Sequence, residues 1–323
     1  MIAAALVLSS AIPPSLDARM AIRDASRVIA RRGDAIWPTM SRTRLRVDLV
    51  EATREVVFCD KSMREFASIG DDPTTGCSMQ QRSRELPTDV SATSDLDGHP
   101  VIEMGSPELL GDTRAAWTVR LLHETFHLYQ HAHPLYRRAV AAVRRGLEVE
   151  DGSDSWPLDY PFPYTNPTVA NAFSGMERAA LVFLAARSPE AVCRAVADYV
   201  AARGRARAAV GAIPWLYCEF QVGQEGVARW TELQLAAAAG RSDPAIAAFA
   251  ANRRAGLATS LRAMDAQGLS KWRRESFYVL GAVEADMLDR LRPGWRRTYL
   301  RSPFSLGEQL IKVSGSPRRY ADP

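Results

Sequence analysis

The sequence predicts an α+β protein, predominantly helical, with a small mixed sheet near the N-terminus and a helical C-terminal part. Three observations carry this. From residue 170 onward apolar residues recur at helical spacing, in Ala-rich segments at 170–186, 189–209, 215–239, 244–263, 272–292 and 306–313. Short β-prone runs are confined to the first third, at 45–50, 55–59 and 101–105. With 323 residues, 47% hydrophobic and 24% charged, the chain has a globular composition and is long enough to bury a sizeable core.

Taken in order, residues 1–18 hold an apolar run at 2–8, then small residues and two prolines. The segment is similar to the back of a secretory signal without its basic start, and it is too short to span a bilayer. Apolar spacing over 16–36 predicts a helix that ends before Trp37 and Pro38. Leu45, Val47 and Leu49 alternate with polar neighbours, and the run at 55–59 repeats the pattern, which predicts a hairpin turning near 52–54. Residues 71–100, rich in Ser, Thr, Asp and Pro, read as a loop, and 101–105 as a further strand. The prolines of 155–168, SWPLDYPFPYTNPT, oppose regular structure. The aromatics Trp156, Tyr160, Phe162 and Tyr164 there either wall a cleft or pin the connection to the core.

Four cysteines bear on the compartment. Cys59 and Cys77 bracket a short loop, while Cys193 and Cys218 fall in adjacent predicted helices. Two local disulfides would suit an oxidising compartment, and four buried thiols are the alternative. None has the C-x-x-C spacing of a cysteine zinc site. The expectation is an exported protein, periplasmic or secreted, and otherwise a cytoplasmic one. The net charge of +4 and pI near 9.0 come from arginines scattered in small groups such as Arg253 and Arg254. No basic stripe interleaved with aromatics is present, which argues against a nucleic-acid partner, and no stretch predicts an integral membrane span.

The chemistry concentrates in residues 121–133, LLHETFHLYQHAH, which carry four of the five histidines. His123, Glu124 and His127 form an H-E-x-x-H motif. On a helix, residues four apart lie on one face about 6 Å apart along the axis, so two imidazoles meet one Zn2+ ion, while Glu124 reaches a water without being a ligand. A helix that has lost such a site is the bland reading. A third ligand has several candidates. His133 stands at the H-E-x-x-H-x-x-G-x-x-H spacing of metzincins, but Gln130 replaces the glycine that lets the chain leave the helix sharply. His131 continues the helical face as an outer or surface histidine. Downstream, Glu177 lies in GMERAAL and Glu225 in QEGVARWTE.

The phrase E-G-x-A-x-W-x-E at 225–232 resembles the second zinc helix of gluzincins, the zinc metallopeptidases whose third ligand is glutamate, especially the aminopeptidase N and glycyl aminopeptidase families. Tyr278 and Gly281 in Y-x-x-G, followed by Leu288 and Asp289, are similar to the segment after the zinc site in those families. The resemblance implies a zincin-like catalytic domain, with an α/β subdomain at 19–134 ending in the H-E-x-x-H helix and a helical subdomain at 135–323. It implies Zn2+ on His123, His127 and Glu225, with Glu177 as the alternative third ligand. Glu124 is then the general base and Tyr278 the donor to the oxyanion. The strand at 101–105 becomes a sheet edge that pairs with an extended peptide or protein substrate, and Glu103 on it a holder of a substrate amino terminus. Gly226 and Ala228 would let their helix pack closely on the H-E-x-x-H helix. From His127 to Glu225 is 98 residues, longer than in those families, which implies an inserted pair of helices. Leu280 stands where the family often has lysine.

The function expected is therefore zinc-dependent hydrolysis of a peptide bond. The alternatives are a zincin-fold binding or cell-envelope protein without catalysis, and a zinc hydrolase acting on another bond. Glu124 argues against the binding protein, since a structural site has no use for a general base.

Overall fold

The computed structural model describes residues 12–149, 155–240 and 243–315. The apolar run at 2–8 lies outside them. The described chain is mostly helical, with one mixed sheet of six strands.

Helix α1, Leu16–Ile36, begins where the Ser15 hydroxyl accepts from the amide of Ala18 and ends at Trp37. Strands β1, Val47–Val50, and β2, Arg54–Phe58, form the expected antiparallel hairpin. The stretch read as a loop, 71–100, instead supplies the end of β3, Ala67–Asp72, and all of β4, Cys77–Ser83, and β5, Ser91–Leu96. Apart from Ile69, Met79 and Leu96 their side chains are small or polar, so no apolar alternation marks them, and ladder hydrogen bonds to neighbouring strands hold them in place. Strand β6, His99–Gly105, follows β5 through a tight turn at Asp97 and Gly98, both at positive φ.

The strand order is β3-β4-β2-β1-β6-β5, with β1 and β6 parallel and the other neighbours antiparallel. This corrects one expectation. β6, which contains 101–105, is interior, and β5 is the edge beside it. Alternation along β6 sends Ile102 and Met104 into the main core and Glu103 to the opposite face. There Glu103 accepts from Ser94 Oγ at 2.5 Å.

That outer face holds a buried acid. Asp48, opposite Glu103, is fully buried, and neither carboxylate oxygen has a hydrogen-bond partner among the described residues. Burial first, then repulsion from Glu55 and Glu103, opposed by Arg82, pushes its pKa up to about 8. A carboxyl with a folded pKa above its unfolded value stabilises the fold most below the unfolded value, near 4, and that stability is lost as pH rises towards 8. Asp48→Asn is therefore expected to raise the melting temperature at pH 8 and to change it little at pH 4, which thermal unfolding at the two pH values checks.

The helices follow in order: α2, Pro107–Leu110, α3, Arg114–Ala132, and α4, Pro134–Gly146. A one-turn α5, Trp156–Asp159, interrupts the proline-rich connection. Then come α6, Pro167–Ala185, α7, Pro189–Val210, and α8, Ala212–Gln221. A π-helical turn, Val222–Gly226, joins α8 to α9, Val227–Ala239, so the segment expected as one helix changes pitch in its middle. The remainder is α10, Pro244–Gln267, α11, Leu269–Trp272, α12, Glu275–Leu291, α13, Arg296–Tyr299, and α14, Leu306–Ser314. Among the described residues no helix is long and apolar enough to cross a membrane.

One apolar core runs from α1 to α14. At its centre Trp37 donates from its ring nitrogen to Thr231 Oγ1 at 2.8 Å and packs on Phe126, Tyr129, Trp230, Trp295 and Tyr299. This ties α1, α3 and α9 into a rigid unit behind the H-E-x-x-H face. Of the aromatics in 155–168, Phe162 and Tyr164 are pinned against Phe277, while Trp156 reaches a cleft.

Cys59 and Cys77 are joined by a disulfide, and Cys193 and Cys218 are thiols. The second expected pair is mismatched in height. By the 1.5 Å rise per residue, Cys193 lies about 26 Å up α7 from the turn at Gly211, and Cys218 about 10 Å up α8.

Candidate metal centre

Helix α3 runs along β5 and β6, its Trp117 ring nitrogen donating to the Gly105 carbonyl at 2.8 Å. On one face it presents His123 and His127 to α9. Glu225 enters from the π-helical turn that precedes α9, a wider winding often found at functional positions. His123 Nε2 and His127 Nε2 each lie 3.3 Å from Glu225 Oε2 and 3.2 Å from each other. All three side chains are buried.

The residues fit a tetrahedral cation. Donor atoms around an ion with bonds of about 2.0–2.1 Å are roughly 3.3–3.4 Å apart, the spacing found here. The imidazoles are oriented from behind. His123 Nδ1 pairs with Glu232 Oε2 at 2.8 Å and His127 Nδ1 with Gln130 Oε1 at 2.7 Å, so with protons on both Nδ1 atoms the two Nε2 lone pairs converge. Burial would raise Glu232, but Arg229, His123 and Arg253 hold it down at about 2. Gln130 is in turn fixed by Tyr299, to whose hydroxyl it donates at 2.6 Å. For the imidazoles, burial disfavours charge, yet Glu225 and Glu232 outweigh it and raise His123 to about 9, and Glu225 raises His127. Glu225 itself, despite burial, is held well below the carboxylate range by the two imidazoles. The cluster thus attracts positive charge strongly, and a metal there would displace protons.

Glu124 is turned away from this triangle into the same cleft, which encloses about 570 Å³. Its carboxylate accepts from Thr93 Oγ1 at 3.1 Å and from Ser91 Oγ at 3.4 Å, both on the edge strand β5. Tyr278, near the start of α12, stacks on His123 with ring centroids 6.1 Å apart and planes 9° from parallel. Burial, then the Glu225 carboxylate, raises its pKa, so the hydroxyl keeps its proton.

Glu177 does not join the cluster. It is buried on α6, which packs on α7 and α10, and burial with Asp265 nearby pushes it up to about 7. His131 lines the cleft, with burial and His127 lowering it to about 4. His133 sits at the C-cap of α3, outside the triad. Glu103 faces away from the cleft, as its strand register requires. Gly226 also serves a different neighbour from the one expected. A Cβ on it would stand 2.3 Å from Gly281 Cα, so it lets the π-helical turn touch α12 rather than α3.

Sequence reasoning missed the outer partners. Glu232 lies seven residues after Glu225, two helical turns on, a spacing that puts both carboxylates on one face. Gln130 entered only as the residue that breaks a metzincin pattern, although three residues after His127 is within side-chain reach on a helix.

A second hollow, of about 730 Å³, is lined by the Cys59–Cys77 disulfide, Asp60, Ser62 and His99. His99 Nδ1 lies 3.2 Å from Asp60 and its Nε2 3.5 Å from Ser62 Oγ. The Ser62 hydroxyl donates instead to Asp60 at 2.6 Å, as does the Ser62 amide at 2.9 Å. That makes a side-chain turn lock and not an activated nucleophile. No protein-family model, no curated protein and no solved structure matches the chain.

Proposed function

We propose that this chain is a zinc-dependent peptide hydrolase of gluzincin type on a zincin-like arrangement, with His123, His127 and Glu225 as ligands. The observation that carries the reading is the convergence of two back-supported imidazoles and a carboxylate at tetrahedral spacing beside Glu124, which is not part of the triangle. When bound, zinc supplies a Lewis acid that brings a water's pKa to near 7 and polarises a carbonyl.

The chain's own groups do the rest. Glu124, steadied by Thr93 and Ser91, takes a proton from the attacking water and passes it to the leaving amine. Tyr278, protonated and stacked beside His123, donates to the developing oxyanion. Glu232 and Gln130 keep both imidazoles in one tautomer. Strand β5, with one side unpaired by any strand among the described residues, offers an extended substrate a partner alongside Glu124. The Cys59–Cys77 disulfide supports an exported protein.

Glu124→Gln tests the reading. Peptide cleavage is expected to fall by ~10²–10⁴ while zinc stoichiometry is unchanged. A zinc-loaded wild type that cleaves no member of a peptide library, or a variant that cleaves as well as wild type, would sink it.

A further inference from the structure

We propose that Arg229 and Arg274 form an anion subsite beside the metal cluster, and that the substrate docks a carboxylate there near the bond that is cut. This rests on the peptidase reading above.

Four arginines line the cleft, each facing an acid, and two of them are hydrogen-bonded to it. Arg120 pairs with Asp112 at 3.0 Å and Arg253 with Glu232 at 2.6 Å. Among the described residues the other two guanidinium groups make no hydrogen bond. Arg229 Nε lies 3.4 Å from Glu232 and is buried without a hydrogen-bond partner. Arg274 Nη1 stands 3.9 Å from Glu225. Both guanidinium carbons lie over the Tyr278 ring, 5.7 and 5.5 Å from its centroid.

Their nearest carboxylates are already engaged. Glu232 faces His123 and Arg253, and Glu225 faces both imidazoles. A divalent ion on Glu225 would weaken its hold on Arg274 further and add repulsion. Glu275, on the same rim, also acts on Arg274 through its charge, without a hydrogen bond to it. Two guanidinium groups with side chains only 19% and 27% exposed therefore turn unmade donors into a cleft built for positive charge. The guanidinium fork matches a carboxylate with two parallel hydrogen bonds. The same cleft is also lined by Trp156, Leu158 and Phe220, so the ligand is amphipathic, with an apolar group as well as a carboxylate.

Titration calorimetry with glutarate and its monoamide, on zinc-loaded and zinc-free full chain, reads the second carboxylate directly. Wild type is expected to prefer glutarate at least ~10-fold, and the Arg229→Gln/Arg274→Gln double variant to fall within ~2-fold, with zinc content and melting temperature kept. Arg274→Lys, which retains charge without the fork, is expected to keep part of the preference. A preference that survives in the double variant overturns the proposal. Peptide pairs with Glu against Gln, and with free against amidated C-termini, show whether the carboxylate is a side chain or a terminus. An arginine-dependent preference in a protein that cleaves no peptide would keep the subsite and sink the peptidase reading. Peptides cleaved without regard to charge, with no preference for glutarate, would do the reverse.

Discussion

Glu225→Ala is expected to empty the chain of zinc and to abolish peptide cleavage with it. His123, His127 and Glu225 form a nearly equilateral set of donors with edges of 3.2–3.3 Å, and the carboxylate is its only anionic corner. Removing it leaves two imidazoles, four residues apart on α3, to hold the ion alone. Loss of an outer partner costs roughly 10–100-fold in metal affinity, and loss of a ligand is expected to exceed that range well. Glu232→Gln, which weakens only the support behind His123, then falls inside it. Glu177→Ala, placed on α6 away from the cleft, is expected to leave zinc content unchanged. Metal analysis after dialysis, together with competition against a chromogenic chelator, ranks the three variants. Zinc retained at full stoichiometry in Glu225→Ala would remove Glu225 from the ligand set.

Gly281→Val is expected to destabilise the fold and to loosen the metal centre in the same step. A Cβ at Gly281 would stand 2.6 Å from the Val222 carbonyl oxygen and 2.7 Å from Gly226 Cα. Both are backbone atoms of the π-helical turn, so no side chain can rotate aside, and the helices have to separate. Overpacking of this kind costs about 3 kcal/mol, the upper end of its usual range, a fall of roughly 4–5 °C in melting temperature for a chain of this size. The turn that would be pushed carries Glu225, and α12 carries Tyr278, so zinc affinity is expected to fall although no ligand is changed. Thermal unfolding with and without zinc measures both effects. If Gly281→Val melts within ~1 °C of wild type, the two backbones are not in contact in solution.

Helices were the legible part of the fold. α1 and the helices after residue 167 carry apolar residues at a period that only a helix uses, and their ends coincide with Ser, Asn, Asp, Pro and Gly caps. β3, β4 and β5 were not legible, because Ser, Thr, Gln and Asp residues there obtain their order from partners distant in sequence. The edge position of β5 followed from the same omission: without β5, β6 looks like the rim. At the site, the pair of histidines and Glu124 could be read from spacing alone. Arg229, Arg253 and Arg274 could not, since a surface arginine and a cleft arginine look identical until three helices converge.

The π-helical turn at Val222–Gly226 has a genetic consequence. It sets the phase between two faces of one continuous helical segment, that of Tyr217, Phe220 and Gln221 before it and that of Trp230 and Glu232 after it. A π-helical turn holds about one residue more than an α-helical one, so losing a single codon among 222–224 would keep the reading frame and let the segment close as plain α-helix with the two faces in nearly the same phase. Both could stay seated while the turn that carries Glu225 tightens, so an in-frame deletion of one residue there is expected to spare the fold and to weaken zinc binding, whereas conservative replacements of Val222 or Gln224 would spare both.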